Sequence, residues 1–483
     1  MTLFGKACDW KTFFKGLCWF AATFALMKVT QGMFAVVFPL LVIVALVRKK
    51  HDLMILLIFV MTSVLIGNTE LVTKSTLSQL SIRLSFALVA LVMAGRMAAG
   101  MTNRYVSPLL GIFPYLVWES FISVGGWSPI VSYLKLMLFV GIYIALYGAA
   151  CSAASSNPMT GDRQRAIILS GAAFMIIGSV LLIPFPAIGM MKADELMNAA
   201  AYGRQITSLF KGITFHSQSL GPVVAVMITL TLCDMLFTVG GWRIFHLMIM
   251  AAGFVLTYMT ASRTAMGSLI GGMGIASWLF MRGKGVGQRW KGKVLSVMTM
   301  VVLLLVCIVL CVPAVQDKVA RFVLKFDTSA QISDVTLEQI TMTRQGLVDF
   351  AMYNFRKKPF TGNGFQVSDD MAYVTRGSLK EYLTAPVEKG VWPTAVLEEG
   401  GVVGFVLFAG FLLVAFFTFV SRKAYAAASV LFTMALVNMG EFTFFSMSGA
   451  GGMEWTAVFC AAVLDAHRNN AMAWRRPMLS WRD

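Results

Sequence analysis

Charged residues are scarce in this sequence. Asp, Glu, Lys and Arg together make up 13% of the 483 residues, whereas hydrophobic residues make up 58%. Soluble domains average about 25% charged and about 45–50% apolar residues, so a water-soluble enzyme is excluded. The apolar runs are long and continuous rather than alternating with polar residues, which excludes a membrane β-barrel. The sequence therefore predicts an all-α protein, a polytopic bundle of transmembrane helices.

Acidic residues and cysteines are also few. There are 23 Asp and Glu residues against 40 Lys and Arg residues, a formal net charge of +17. In a multispan protein such an excess is typical of cytoplasmic loops that meet anionic lipid, so we expect membrane lipid and no nucleic acid as a partner. The seven cysteines show no metal-ligand spacing. Neither disulfides, a metal site nor any other cofactor is predicted.

Hydropathy predicts about fourteen spans, the number that the apolar content allows at about 20 residues each. They lie near 13–27, 31–47, 53–67, 84–100, 107–124, 130–151, 166–187, 219–238, 244–260, 265–281, 294–313, 400–420, 424–440 and 446–465. With both termini cytoplasmic, basic clusters such as Arg48-Lys49-Lys50 and Arg422-Lys423 fall on the cytoplasmic side. The positive-inside rule requires this distribution, so it sets the predicted orientation.

Two predicted external segments are too long to be simple turns. The predicted regions are N-terminal helices at 1–187, a first external loop at 188–218, central helices at 219–313, a large external loop at 314–399, C-terminal helices at 400–466 and a basic tail at 467–483. The large loop has mixed charge and no low complexity, so we expect it to fold into a small helical cap. Long external loops are where membrane proteins usually carry their functional residues.

Two basic side chains stand out around the central spans. Arg263 lies in ASRTA at 261–265, at the outer end of a span, where a charge is costly unless it is paired or faces a polar cavity. The alternative is an arginine that extends to the membrane interface. His216, in GITFHSQSLGP at 212–222, is the only histidine predicted to be external. Its alternative is a bystander beside a helix cap formed by Ser217 or Ser219.

The large loop contains TRQGLVDFAMYNFRKKPFTGNGF at 343–365. The predicted amphipathic helix opens at Arg344, and Pro359 ends it. Its apolar face is Leu347, Phe350, Ala351 and Phe355, and Gly362 and Gly364 form a tight turn after it. Arg376 follows, and then Glu388 and Lys389 immediately before Trp392-Pro393. A Glu-Lys pair in a loop is usually solvated surface.

The external arginines come from four separate stretches of the chain. They are Arg204, Arg263, Arg344 and Arg376. The planar guanidinium group suits bidentate binding of phosphate oxygens, so a cluster of them would hold a lipid diphosphate whose tail lies between the spans.

Four ionisable residues lie inside or at the outer edge of predicted spans, where such groups are functional candidates. Glu119 and Lys135 can pair and join the fifth span to the sixth. Glu441 and Glu454 flank the last external turn and could reach an acceptor sugar.

In these residues the sequence resembles the O-antigen ligase and O-antigen polymerase (Wzy-type) superfamily. The matching parts are the stretch from Arg204 to Pro222, the SRTA motif at 262–265, Arg344 with the turn at Pro359 and Gly362-x-Gly364, and Glu399-x-Gly401-x-x-Gly404. Their order matches across about residues 190–420. The resemblance implies an integral-membrane glycosyltransferase (GT-C-like) fold in the bacterial inner membrane, with its active site facing the periplasm.

The resemblance also implies a chemistry. Members transfer a glycan from undecaprenyl diphosphate without a metal, with arginines on the diphosphate and an external histidine as the base. The resemblance implies that Arg263 and Arg344 bind the diphosphate, together with Arg204 from the first matching stretch. The family's His-Asn pair before the Gly-x-x-Gly turn is replaced here by Gly390-Val391. We therefore expect Glu388 as the base, with His216 as its rival and Lys389 on the leaving diphosphate.

These observations favour a polymerase of lipid-linked oligosaccharide repeat units, for an exopolysaccharide or O-antigen. A ligase that transfers the glycan to lipid A core or to a protein would share the fold and the donor. A lipid-linked oligosaccharide flippase or transporter is the third reading. A chain-length regulator and an export machinery are further possible partners.

Overall fold

The computed structural model describes residues 9–126, 128–156, 158–191, 209–237, 242–282, 337–367 and 389–479. Within these ranges the chain forms helices and no strand, apart from two isolated β-bridges, which confirms the all-α class. The helices of the N-terminal part are α1 (Trp10–Val29), α2 (Val37–Val47), α3 (His51–Ile66), α4 (Thr76–Ala98), α5 (Phe113–Ile122), α6 (Pro129–Ala154), α7 (Pro158–Val180) and α8 (Pro186–Gly189). Those that follow are α9 (Ser217–Phe237), α10 (Trp242–Met259), α11 (Arg263–Arg282), α12 (Leu337–Lys357), α13 (Trp392–Ser421), α14 (Tyr425–Val437) and α15 (Ala450–Leu479).

Seven helical segments of the described residues are long and apolar enough to cross a membrane. They are Trp10–Val29, Thr76–Ala98, Ser107–Gly125, Pro129–Ala154, Ser217–Leu236, Arg263–Arg282 and Trp392–Ser421. Helices lie at thirteen of the fourteen predicted positions, and the segment 294–313 lies outside the described residues. The membrane class is therefore supported, while the number of spans stays a prediction.

Helix α9 lies at the centre of the bundle. It packs against α7, α10, α11, α14 and α15, and 94% of its most apolar stretch is buried, against 33% for α1 and for α13. The apolar residues of α9 cover its whole circumference. This fits its central position, because such a helix needs apolar neighbours on every side. The outer helices keep apolar side chains exposed, such as Leu413 and Phe417 on α13, as a lipid-facing surface would.

The connection between α3 and α4 holds the described end of the first external loop. The Asn68 amide donates to the Ile213 carbonyl at 2.7 Å, and the Phe215 amide donates to the Ile66 carbonyl at 3.0 Å. The Asn68 side-chain amide also donates to the carbonyls of Ile188 and Gly212. These bonds fix the backbone that leads directly into His216 and α9.

The predicted cap is described in two pieces, 337–367 and 389–399. Helix α12 begins at Leu337, seven residues before the predicted start at Arg344, and ends at Lys357, just before Pro359 as predicted. Ala351 is buried on its apolar face, together with the unpredicted polar residue Asn354. Helix α12 packs against α13, which begins at Trp392. The boundary predicted between 399 and 400 therefore falls inside α13.

Candidate functional site

Five of the predicted site residues have described side chains. They are His216, Arg263, Lys389, Glu441 and Glu454. Arg204, Arg376 and Glu388 lie outside the described residues, and Arg344 lies on α12 but outside the residues whose side chains are described. The five lie at helix ends on one face of the bundle, called here the predicted external face.

His216 forms the cap of α9. The backbone amide of Gln218 donates to the His216 Nδ1 atom at 3.0 Å, and the amides of Ser219 and Leu220 donate to the His216 carbonyl. The imidazole, rather than Ser217 or Ser219, therefore satisfies an orphan donor of the first turn. A neutral imidazole that accepts at Nδ1 carries its proton on Nε2. In this state His216 presents a donor, which suits a phosphate oxygen better than it suits the removal of a proton.

Arg263 is the first residue of α11. Ser262 caps this helix, because its Oγ atom accepts from the Ala265 amide at 3.3 Å. The start of α11 touches the first turns of α9: a Cβ atom at Gly221 would lie 2.9 Å from Thr260 Oγ1 and 3.0 Å from Ser262 Cβ. Two helix N-termini and the half-buried residue Arg263 thus lie side by side. Helix N-termini carry partial positive charge, and together with the charge of Arg263 this makes the place favourable for an anion.

The turn between α14 and α15, predicted to be external, brings Glu441 to the same place. A Cβ atom at Gly440 would overlap Thr264, the residue after Arg263, so this turn lies directly on the start of α11. Glu454 is fully buried and accepts hydrogen bonds from Asn438 Nδ2 at 3.1 Å and Thr443 Oγ1 at 2.8 Å. These bonds hold the turn, and Glu441, which is 8% exposed, is the more accessible of the two buried carboxylates.

Lys389 is buried in an ion cluster. Its Nζ atom lies 3.0 Å from Glu399 Oε1 and 3.2 Å from Glu398 Oε2, and it donates to the Val367 carbonyl at 2.7 Å. Only 3% of the residue is exposed, so the interpretation of Lys389 as solvated surface is wrong. Its three donors are taken, which leaves none for the predicted contact with a diphosphate. Burial alone would lower the pKa of Lys389, but the carboxylates of Glu398 and Glu399 outweigh it and raise that pKa above its ordinary value.

Glu119 and Lys135 do not pair with each other within the described residues. Lys135 Nζ donates to the Gln366 carbonyl at 3.1 Å. The fully buried Glu119 carboxylate instead faces α13, where its Oε1 atom would lie 2.5 Å from a Cβ atom at Gly400. The expectation that this pair joins two spans is wrong, because each residue contacts the junction of the cap and α13.

This junction is a turn inserted into a break in α13. Gly401 has φ 64° and ψ −167°, which interrupts the helix. The amides of Asn363 and Gly364 donate to the carbonyls of Glu398 and Glu399 at 2.9 and 3.0 Å, and the Val402 amide donates to the Pro359 carbonyl at 2.8 Å. The turn thus satisfies backbone groups that the break leaves without helical partners. The two glycine motifs of the sequence, Gly362-x-Gly364 and Gly401-x-x-Gly404, are therefore halves of one contact.

Replacing Gly401 with alanine should destabilise the protein. Its backbone lies in a region that only glycine occupies readily, at a cost of about 1–3 kcal/mol for other residues, and the added Cβ atom would overlap the Phe360 carbonyl. Gly410→Ala, on the same helix with open space at its Cβ position, is the matched control. Thermal unfolding in detergent should show a lower Tm for Gly401→Ala alone. Equal Tm values would contradict the docked turn.

Comparison of the sequence with protein-family models and with curated proteins found no match. The likeness to the glycan ligases and polymerases therefore rests on the sequence motifs around Arg263, Arg344 and Gly401, and the activity is a proposal.

Proposed function

We propose that the chain is a GT-C-like membrane glycosyltransferase of about fourteen spans, which polymerises polyprenyl-diphosphate-linked oligosaccharide units at the periplasmic face of the bacterial inner membrane. The observation that carries the proposal is the meeting of the α9 and α11 N-termini beside Arg263. An anion site at the end of a long apolar bundle fits a ligand with a charged head and an apolar tail. Both termini are proposed to be cytoplasmic.

The diphosphate of the donor binds at the start of α11 in this proposal. The guanidinium group of Arg263 offers a planar pair of donors to phosphate oxygens, and the neighbouring N-terminus of α9 adds partial positive charge. Arg344, on α12, is proposed as a further guanidinium donor to the diphosphate. These groups stabilise the charge that develops on the diphosphate as it departs.

The reaction is proposed to invert the anomeric centre of the donor. An acceptor hydroxyl oxygen forms a bond to the anomeric carbon while the bond from that carbon to the diphosphate oxygen breaks, and the electron pair leaves with the diphosphate. A carboxylate takes the hydroxyl proton. Glu388 is one candidate by its position before α13, and Glu441 is the other, because its turn lies on the start of α11.

Variants that replace each carboxylate with an amide can show whether Glu388 or Glu441 is the base. We expect the variant of the true base to lose about 10²–10⁴-fold in turnover, the usual contribution of general base catalysis, while the other variant keeps most of its activity. Asp349→Asn, at an exposed carboxylate on α12, is the control. Initial rates at saturating acceptor are the measurement. If Glu388→Gln and Glu441→Gln both retain full turnover, neither of these carboxylates is the base.

The activity itself is tested with the purified protein in nanodiscs. The assay contains undecaprenyl-diphosphate-linked repeat units and EDTA, and the products are separated by size on a gel. A ladder of products is the expected result. Transfer only to added lipid A core would identify a ligase, and glycan crossing the bilayer of a proteoliposome without transfer would identify a flippase.

A further inference from the structure

A second site lies at the opposite end of the bundle, on the predicted cytoplasmic face. There α1, α3 and α7 begin side by side and line a cavity of about 440 Å³. Sites for small ligands typically measure about 300–1,000 Å³. None of the residues of the proposed catalytic site contributes to this cavity, so a ligand bound there is independent of the proposed function.

The cavity is charged at its outer rim and apolar one turn deeper. Helix α1 contributes Lys15 and then Trp19, and helix α7 contributes Arg163 and then Ile167. Helix α3 repeats the pattern with Asp52 and Leu56. Residues four apart lie on the same face of a helix, so each helix presents a charged group near its first turn and an apolar group further into the bundle.

The charge at the rim is positive. Lys11, Lys15 and Arg163 face two acids, Asp9 and Asp52, which leaves a formal net charge of +1. The Asp9 carboxylate already accepts from the Thr12 amide at 3.2 Å and from the Thr12 hydroxyl. The N-termini of three parallel helices add partial positive charge at the same place. An anion with a single negative charge is the complement of this rim.

We propose that this cavity binds the headgroup of an anionic glycerophospholipid with one net negative charge. Its phosphodiester lies among Lys11, Lys15 and Arg163, and the beginning of its acyl chains lies against the apolar residues one turn deeper. A lipid fits better than a soluble phosphate because Trp19 both lines the cavity and is 45% exposed on α1, a peripheral helix. The rim is therefore open on the side that faces the bilayer.

The test is native mass spectrometry of the delipidated full-length protein with phosphatidylglycerol or phosphatidylethanolamine. The variant is Lys15→Gln/Arg163→Gln, and both side chains are exposed, so we expect it to fold. Each basic side chain near anionic lipid contributes about fivefold to binding, so the variant, which lacks two of them, should bind phosphatidylglycerol roughly 25-fold more weakly. The unchanged protein should prefer phosphatidylglycerol to phosphatidylethanolamine.

The matched control is Arg48→Gln/Arg282→Gln. It removes the same charge from exposed residues on the predicted cytoplasmic face, neither of which lines the cavity, and should bind like the unchanged protein. Equal binding by the Lys15/Arg163 variant and this control would overturn the proposal. Displacement of the lipid by millimolar glycerol phosphate would show a site for soluble phosphates instead, and equal binding of phosphatidylethanolamine would refute the charge argument. If the double variant is not monodisperse, Lys11→Gln alone is measured against Arg48→Gln, with the same criteria.

Discussion

Replacing Arg263 with alanine should abolish polymer formation and leave the protein folded in the membrane. Arg263 is the first residue of α11, next to the N-terminal end of α9, so its loss removes the strongest anion donor at the proposed diphosphate site. Loss of one preorganised donor that stabilises developing charge typically costs about 10²–10³-fold in turnover. Arg263→Lys should recover only part of this, because an ammonium group cannot make the planar bidentate contact.

The matched control for this variant lies on the same helix. Arg282 ends α11, is exposed, and stacks on Trp278 at 5.4 Å, so Arg282→Ala removes an equal charge at the opposite end. It should make a normal ladder of products in the assay with undecaprenyl-diphosphate-linked units, with the same Tm as Arg263→Ala. Normal polymer from Arg263→Ala would contradict the diphosphate site. A shared loss of activity in both variants would mean that the charge of α11, rather than its position, matters.

The helices could be predicted from the sequence because apolar runs need no knowledge of their neighbours. Apolar stretches with a single charged residue each predicted helices at 13–27, 130–151 and 219–238, and α1, α6 and α9 lie there. The ends of the helices were harder to predict. Helix α13 begins at Trp392, whereas the predicted span begins at 400. The first turns of the helix were missed because Glu398 and Glu399 lower the hydropathy of that segment, even though a buried lysine neutralises them in the structure.

The candidate site could be predicted only in part. Arg263 and His216 stood out as isolated basic residues at helix starts, and the structure places their helices in contact. Two contacts could not be predicted, the packing of Glu119 against Gly400 and the hydrogen bond from Lys135 to Gln366, since each joins residues more than two hundred positions apart. One signal was overlooked. Two carboxylates just inside an apolar helix need a counter-ion, and Lys389 is the nearest cation before them in the chain.

Replacing Lys389 with methionine should destabilise the junction between the cap and α13. The variant would leave Glu398 and Glu399 buried without their counter-ion, and removal of one partner of a buried ion cluster typically costs about 3–5 kcal/mol. The Val367 carbonyl would also lose its donor at 2.7 Å. We expect a clearly lower Tm in detergent, and accelerated proteolysis between α12 and α13, because the two are joined through Asn354, which donates to Glu398 at 2.9 Å.

Lys357→Met is the control, because Lys357 is an exposed lysine at the end of α12 that lies 4.4 Å from the Tyr353 ring. Its Tm should change little, as the interactions of exposed charges contribute at most about 1 kcal/mol. The pair of variants also separates two roles for Lys389. A structural counter-ion predicts that Lys389→Met loses Tm and activity together, and that stabilising conditions restore both. A lysine that binds the diphosphate predicts lost activity at an unchanged Tm, and that result would contradict the buried cluster as the reason for its presence.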